Sequence, residues 1–204
     1  VSVVFRKTLD NLMRVEGGYV FDPRDSGGET YRGIARRFWP DWLGWARVDG
    51  HKTEEKRAGQ LDRLLASDAA LQELVAEFYE VNFWSALRCD AVSVLSVPVA
   101  VELFDTGVNC GIETAGRILQ RGLNALNDRG RLYHDLIVDG DIGERTIEAL
   151  RQYLLARPTH GEGVLLKIQN ALQGAHYIEL AERRQKDEAF VYGWFWTRIE
   201  LPRE

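Results

Sequence analysis

Cysteine is scarce. Cys89 and Cys110 are the only two in 204 residues. A disulfide framework needs more, and no CxxC pair suggests zinc, so two buried or free thiols are expected. The four histidines, His51, His134, His160 and His176, show no metal-ligand spacing. No apolar run reaches the roughly 18 residues of a membrane span, so no stable membrane insertion is expected. A strong charge of one sign is also missing. The net charge of −5 and the pI near 5.5 argue against a nucleic-acid binder but leave a neutral or mixed-charge polymer open as substrate. No GxSxG context marks a Ser or Cys nucleophile. There is no repeat of fixed period and no low-complexity tract, and period-two alternation is short everywhere.

What the chain does have is a core. It is 45% apolar with six Trp, seven Tyr and eight Phe. That suits one compact domain, or a domain of about 100 residues with a smaller partner. Phe5, Leu9, Leu12 and Met13 lie at helical spacing over Val3–Val15, and Gly17-Gly18 then stops the run. Residues 18–35 read as an irregular loop with one short hairpin, followed by a Trp-rich segment and a polar helix around Thr53–Leu65. Ser67 is the expected N-cap of a helix placing Leu71, Leu74, Val75, Phe78 and Asn82 on one face. Pro98 and Gly111 bracket another, with Val97, Val101, Phe104 and Val108 as its stripe. "ETAGRILQRGLNAL" is amphipathic, Asp139-Gly140 marks a turn, and a helical run begins near Thr146. Two further runs, Gly163–Gln173 and Ala175–Gln185, lead into "FVYGWFWTRI". The expectation is a mainly α protein divided into 1–92 and 93–204, the two parts packed together.

The stretch "EGGYVFDPRDSGGETYRGIA" carries the chemistry. Glu16 closes a helix, where the negative pole of the macrodipole disfavours an anion. Partial burial beside Tyr19 and Phe21 would raise its pKa further and keep it protonated near neutral pH. A protonated carboxyl in a cleft is what glycoside hydrolysis needs to protonate the leaving oxygen. The plainer alternative is a surface Glu at a frayed helix end. Asp22, Asp25 and Thr30 follow among glycines that let a ligand approach the backbone, and carboxylates there suit water or sugar hydroxyls. Asp22, Asp25 and Glu29 also suit calcium, but their spacing is not that of an EF-hand loop. Asp25 equally suits a turn cap.

The same stretch resembles the N-terminal signature of glycoside hydrolase family 108, the bacterial and phage N-acetylmuramidases. "EFYEVNFW" is similar to the segment ending that family's first domain. "FDTGVNCGIETAGRILQRGLNAL", "VDGDIGERTIEAL" and "FVYGWFWTRI" resemble the small peptidoglycan-binding domain that follows it. The resemblance implies a lysozyme-like helical fold and hydrolysis of the β-1,4 bond after N-acetylmuramic acid, with Glu16 as the catalytic acid. The segment "FWPDWLGWARVDG" departs from the family in its Trp content, and "IA" stands where Ile is often followed by Thr or Ser.

Further candidates come from side-chain chemistry. Tyr19 and Tyr31 flank the motif and suit sugar binding, since aromatic faces match pyranose faces while their polar tips form hydrogen bonds. Trp39, Trp42 and Trp45 fit a packed helix face at least as well as subsites, and Trp194 and Trp196 fit packing at the C-terminus. Asp105 and Asn109, four apart on a helix, are candidate substrate ligands, with Asn109 also a helix-end cap. Arg24, Arg32, Arg36 and Arg37 form a basic patch of the kind usually solvated. No metal or cofactor is expected. The expected partner is the peptidoglycan glycan strand, bound by a monomer. The N-terminus has no signal-peptide pattern, so synthesis in the cytoplasm and release to the wall through a holin or an export route are expected. The competing functional reading is a non-catalytic peptidoglycan-binding or secretion-assisting protein.

Overall fold

The helix Val3–Val15 (α1) forms because Phe5, Leu9 and Leu12 recur on one face and bury there. Ser2 Oγ accepts the Phe5 N–H at 3.1 Å, and Arg14 complements the dipole in the last turn. The computed structural model describes residues 2–15, 17–21, 28–54 and 60–199, in two compact units, Val1–Asn82 and Phe83–Glu204.

In the first unit α1 precedes a small antiparallel sheet of three strands, β1 (Tyr19–Phe21), β2 (Glu29–Tyr31) and β3 (Ile34–Ala35), in that order. Tyr19 pairs with Tyr31, and Tyr31 with Ile34. The expected hairpin is therefore present with a third strand added. Its connection is Arg32-Gly33, both at positive φ (50° and 78°), as a two-residue turn of type I′ requires. The strained Arg32 is held from outside the turn, where the Tyr79 hydroxyl donates to its carbonyl at 2.8 Å.

Three helices complete this unit: α2 (Gly44–Glu54), α3 (Leu61–Ser67) and α4 (Ala69–Tyr79). The polar helix expected around Thr53–Leu65 thus falls on the end of α2 and the start of α3. Asp68, not Ser67, caps α4 by accepting the Leu71 N–H at 3.1 Å, because Ser67 still belongs to α3. Asp68 also receives Arg47 at 2.7 and 2.8 Å and lies 2.8 Å from His51, so one carboxylate joins α2 to the α3–α4 corner. The core here is Phe5, Tyr31, Ile34, Trp45, Val48, Leu65, Leu71 and Val75. Each such side chain contributes about 1.5–3 kcal/mol on burial.

A π-helical segment, Glu80–Ser85, contains the boundary between the units. The second unit holds α5 (Cys89–Leu95), α6 (Val97–Cys110), α7 (Ile112–Leu126), α8 (Glu144–Ala156), α9 (Gly161–Arg183) and α10 (Glu188–Arg198). Pro98 and Gly111 do bracket α6, and Ser96 caps it through the Val99 N–H. Its buried face is Val99, Ala100, Leu103, Phe104, Thr106 and Gly107, so of the expected stripe Phe104 is buried while Val97, Val101 and Val108 are not. At Gly107 an added Cβ would stand 2.5 Å from Leu87.

The Asp139-Gly140 turn docks on α7. An added Cβ on Gly116 would fall 1.9 Å from the Gly140 carbonyl oxygen. Buried Gln120 reads the turn from α7, accepting the Gly140 N–H at 2.8 Å and donating to Asp139 and the Asp141 carbonyl. The two expected runs around Gly174 are one helix, α9. Gly174 continues it because Phe195 of α10 packs where a side chain would be. Both cysteines are free, and burial pushes the Cys110 thiol up to about 11, which leaves it unreactive.

Candidate active site

The two glycines of the EGG motif are not equivalent. A Cβ on Gly18 would stand 2.5 Å from Asp62 Oδ1 of α3, whereas one on Gly17 would meet nothing within 4 Å among the described residues. Asp62 accepts the Tyr19 N–H at 2.7 Å, fixing where β1 begins. The Gly18 carbonyl accepts the Arg32 N–H at 3.2 Å, and the Arg32 guanidinium reaches the Met13 carbonyl at 3.4 Å. The two ends of the motif are thereby tied together and to α1. Gly17 is left as open backbone that a ligand can approach.

Beside the sheet lies a charged network. Glu29 of β2, its side chain 11% exposed, accepts from Arg36 at 2.9 Å and contacts Lys52 of α2. Arg36 also forks onto Asp49 at 2.7 and 2.8 Å, and Lys52 reaches Asp49 at 3.1 Å. The Lys52 ammonium lies 5.3 Å from the centre of the Tyr19 ring. Burial works to raise the Glu29 pKa, but hydrogen bonds from Lys52, Arg36 and Tyr19 outweigh it and hold the carboxyl below its ordinary value. Burial, with the hydrogen bond to Glu29, raises the Tyr19 phenol. The result is a fixed anion flanked by fixed cations at the edge of the motif.

Glu16, Asp22 and Asp25 lie outside the described residues. Of the other expected site residues, the sheet brings three together: half-buried Tyr19 and Thr30, and Tyr31 at 1% exposure. The Tyr31 hydroxyl accepts from Gln72 at 2.9 Å. Asp105 and Asn109 belong to the second unit, on α6. Asp105 pairs with Arg198 of α10, and Asn109 donates to the Asp105 carbonyl at 3.3 Å. Burial pushes the Asp105 pKa up, against the pull of Arg198 and Asn109.

Sequence reasoning missed Asp49, Lys52 and Asp62 and weighed Glu29 only as a calcium ligand. The i,i+3 pair Asp49–Lys52 on α2 was the available signal. The arginine patch is in part a network: Arg36 is paired with two carboxylates and Arg32 is bonded to backbone. Trp45 is core, with its indole N–H on the Trp39 carbonyl at 2.8 Å, while Trp39 itself is 40% exposed. Among the described residues no three His, Cys, Asp or Glu side chains are grouped to hold a metal ion, and no helix is long and apolar enough to cross a membrane.

No curated protein matches the chain significantly. A solved structure of Brucella abortus SagA is similar over 93% of this chain and 86% of that one, with a TM-score of 0.57 and 21% identity, a likeness of fold. Residues 114–199 match the family model described as Predicted Peptidoglycan domain. Residues 9–111, half of the chain, match the model described as Glycosyl hydrolase 108. The chain belongs to the glycosyl hydrolase 108 family.

Proposed function

We propose that the protein is an N-acetylmuramidase, hydrolysing the β-1,4 bond between N-acetylmuramic acid and N-acetylglucosamine with Glu16 as general acid. The observation that carries this reading is the EGG motif of a glycosyl hydrolase 108 chain, with Gly18 packed on Asp62 and Gly17 left open. Glu29, held ionised by Lys52 and Arg36, is unsuited to donate a proton, which supports Glu16 rather than Glu29 in that role. Glu16 protonates the leaving oxygen as positive charge develops on the muramic acid ring. A water oriented by Asp25 or Thr30 then attacks, and Tyr19 offers its ring edge and hydroxyl to the sugar. The match over residues 114–199 supports retention on the wall. Access to the wall is assigned to a holin or export route and the active form to a monomer.

Glu16→Gln removes the acid while keeping size and polarity. It should abolish release of soluble muropeptides with an unchanged circular dichroism spectrum, and full lysis by that variant would sink the assignment. Mass spectrometry of the wild-type digest should show new reducing muramic acid ends. Anhydro ends would mean a lytic transglycosylase, and cleavage of chitin oligomers in preference to peptidoglycan a chitinase-like specificity. Sacculus binding without products would mean the non-catalytic reading.

A further inference from the structure

The first unit exposes more apolar surface than folding explains. Phe38 (66% exposed), Leu43 and Val81 are largely uncovered, and Trp39 beside them is 40% exposed. They line a groove of about 400 Å³, within the range of small-ligand sites. Contiguous exposed apolar patches of this kind mark binding surfaces. The groove is built rather than incidental. Trp39 packs edge-on against Phe78, ring centroids 4.8 Å apart at 89°, and its carbonyl is held by the Trp45 indole. The Trp42 indole N–H is spent on the Leu74 carbonyl at 3.3 Å. Two aromatic side chains therefore stand out at the surface of a rigid aromatic cluster.

The polar part of the lining selects the occupant. Asp41, Glu77 and Asn82 supply hydrogen-bond acceptors, and among the described residues no Lys, Arg or His lines the groove. Flat apolar faces beside acceptors suit a pyranose, whose ring face is apolar and whose hydroxyls donate. Two carboxylates without a cation repel an acidic ligand. N-acetylmuramic acid carries a carboxylate and N-acetylglucosamine does not.

We propose that this groove is an accessory glycan-binding site that holds a neutral N-acetylglucosamine residue, with Trp39 and Phe38 as the stacking platform. It rests on the reading of the protein as acting on peptidoglycan glycan strands. It gives the Trp-rich segment, which departs from the family pattern, a role in gripping the strand beyond the scissile bond.

The test titrates the ¹⁵N-labelled full chain carrying Glu16→Gln with N,N′,N″,N‴-tetraacetylchitotetraose. The expected result is saturable shifts at the Phe38, Trp39 and Leu43 amides and the Trp39 indole. Trp39→Ala should weaken that binding about tenfold and Phe38→Ala about threefold. Free N-acetylmuramic acid should leave these resonances in place where N-acetylglucosamine moves them. Phe38 is exposed, so its variant carries the test if Trp39→Ala unfolds. Shifts confined to other residues, or both variants binding like the parent, would overturn the proposal. So would dilution-dependent shifts at Phe38 and Leu43 without sugar, which would assign the groove to self-association. Wild-type chain that binds the oligomer here yet releases no muropeptides would sink the muramidase reading and leave this one standing.

Discussion

In Val1–Asn82 the chain is fixed by charges, and in Phe83–Glu204 by close backbone packing. The first unit has short helices and a sheet of two- and three-residue strands, too little regular structure to set loop positions by helix packing alone. Carboxylates do that work: Asp68 joins α2 to α4, Glu29 and Asp49 hold Arg36 and Lys52, and Asp62 anchors β1. The second unit has helices of up to 23 residues whose glycines admit close neighbours, the Gly140 backbone at Gly116 and side chains at Gly107, Gly122 and Gly174. Its half-buried Asp105 is pushed toward neutrality instead.

The largest expected effect tests the scaffold. Gly116→Leu drives a side chain into the Gly140 carbonyl, backbone on both sides, so nothing flexible can yield. The cost should be roughly 4 kcal/mol, at the upper end of overpacking penalties. Urea unfolding followed by NMR resonances of α7 and α8 reads it. A loss under about 1 kcal/mol would mean that the docked turn is not what fixes this unit.

Next is the charged corner. Asp68→Ala removes a helix cap and the carboxylate that Arg47 and His51 share, with an expected loss of about 2 kcal/mol seen in resonances of α2 and α4. A smaller loss than a surface cap alone gives would erase the contrast between the units.

Acid should separate them further. Hydrogen bonds from Arg47, then His51 and the Leu71 N–H, hold Asp68 well below the carboxylate range. Arg36, then Lys52, does the same for Asp49. Groups with folded pKa values below their unfolded ones add stability above the unfolded value and lose it as pH falls through the folded one. Asp105 has the opposite sign: its contribution is fullest in acid and is lost as pH rises from the unfolded value through its raised folded one. Lowering pH from 7 to 3 should therefore cost the first unit about 1 kcal/mol, chiefly at Asp68, since solvent screens the 45% exposed Asp49, while relieving Asp105 in the second. Equal acid sensitivity in both units would refute the comparison.

The same contrast explains what was legible in the sequence. Helices α1, α4, α6 and α7 announce themselves, because apolar periodicity and end signals such as Pro98 and Gly111 are local. The EGG stretch was legible as a family signature for the same reason. The network around Glu29 was not, since its partners stand 7 to 23 residues away and only the fold aligns them. Nor was the continuity of α9 through Gly174, where Phe195 of α10 overrides a local breaker. The I′ turn at Arg32-Gly33 was visible in principle, but Arg at positive φ is uncommon and needs Tyr79 to hold it.

The smallest expected effect separates geometry from environment. Arg151 and Glu148 of α8 form a forked pair at 2.7 to 3.0 Å, as tight as Arg47 and Asp68 at 2.7 and 2.8 Å. The Glu148 side chain is 44% exposed, the Asp68 side chain 5%. Water screens the first pair and solvates either partner left alone, so Arg151→Ala should change stability by less than about 0.5 kcal/mol. Burial denies Asp68 that escape, and the same truncation at Arg47 should cost several times more. Adding 0.5 M salt should shrink the α8 effect further and leave most of the Arg47 effect in place, because screening acts on charges that solvent reaches. Equal losses at the two sites would show that contact distance alone sets the strength of these pairs, and the electrostatic account of the first unit would fail with it.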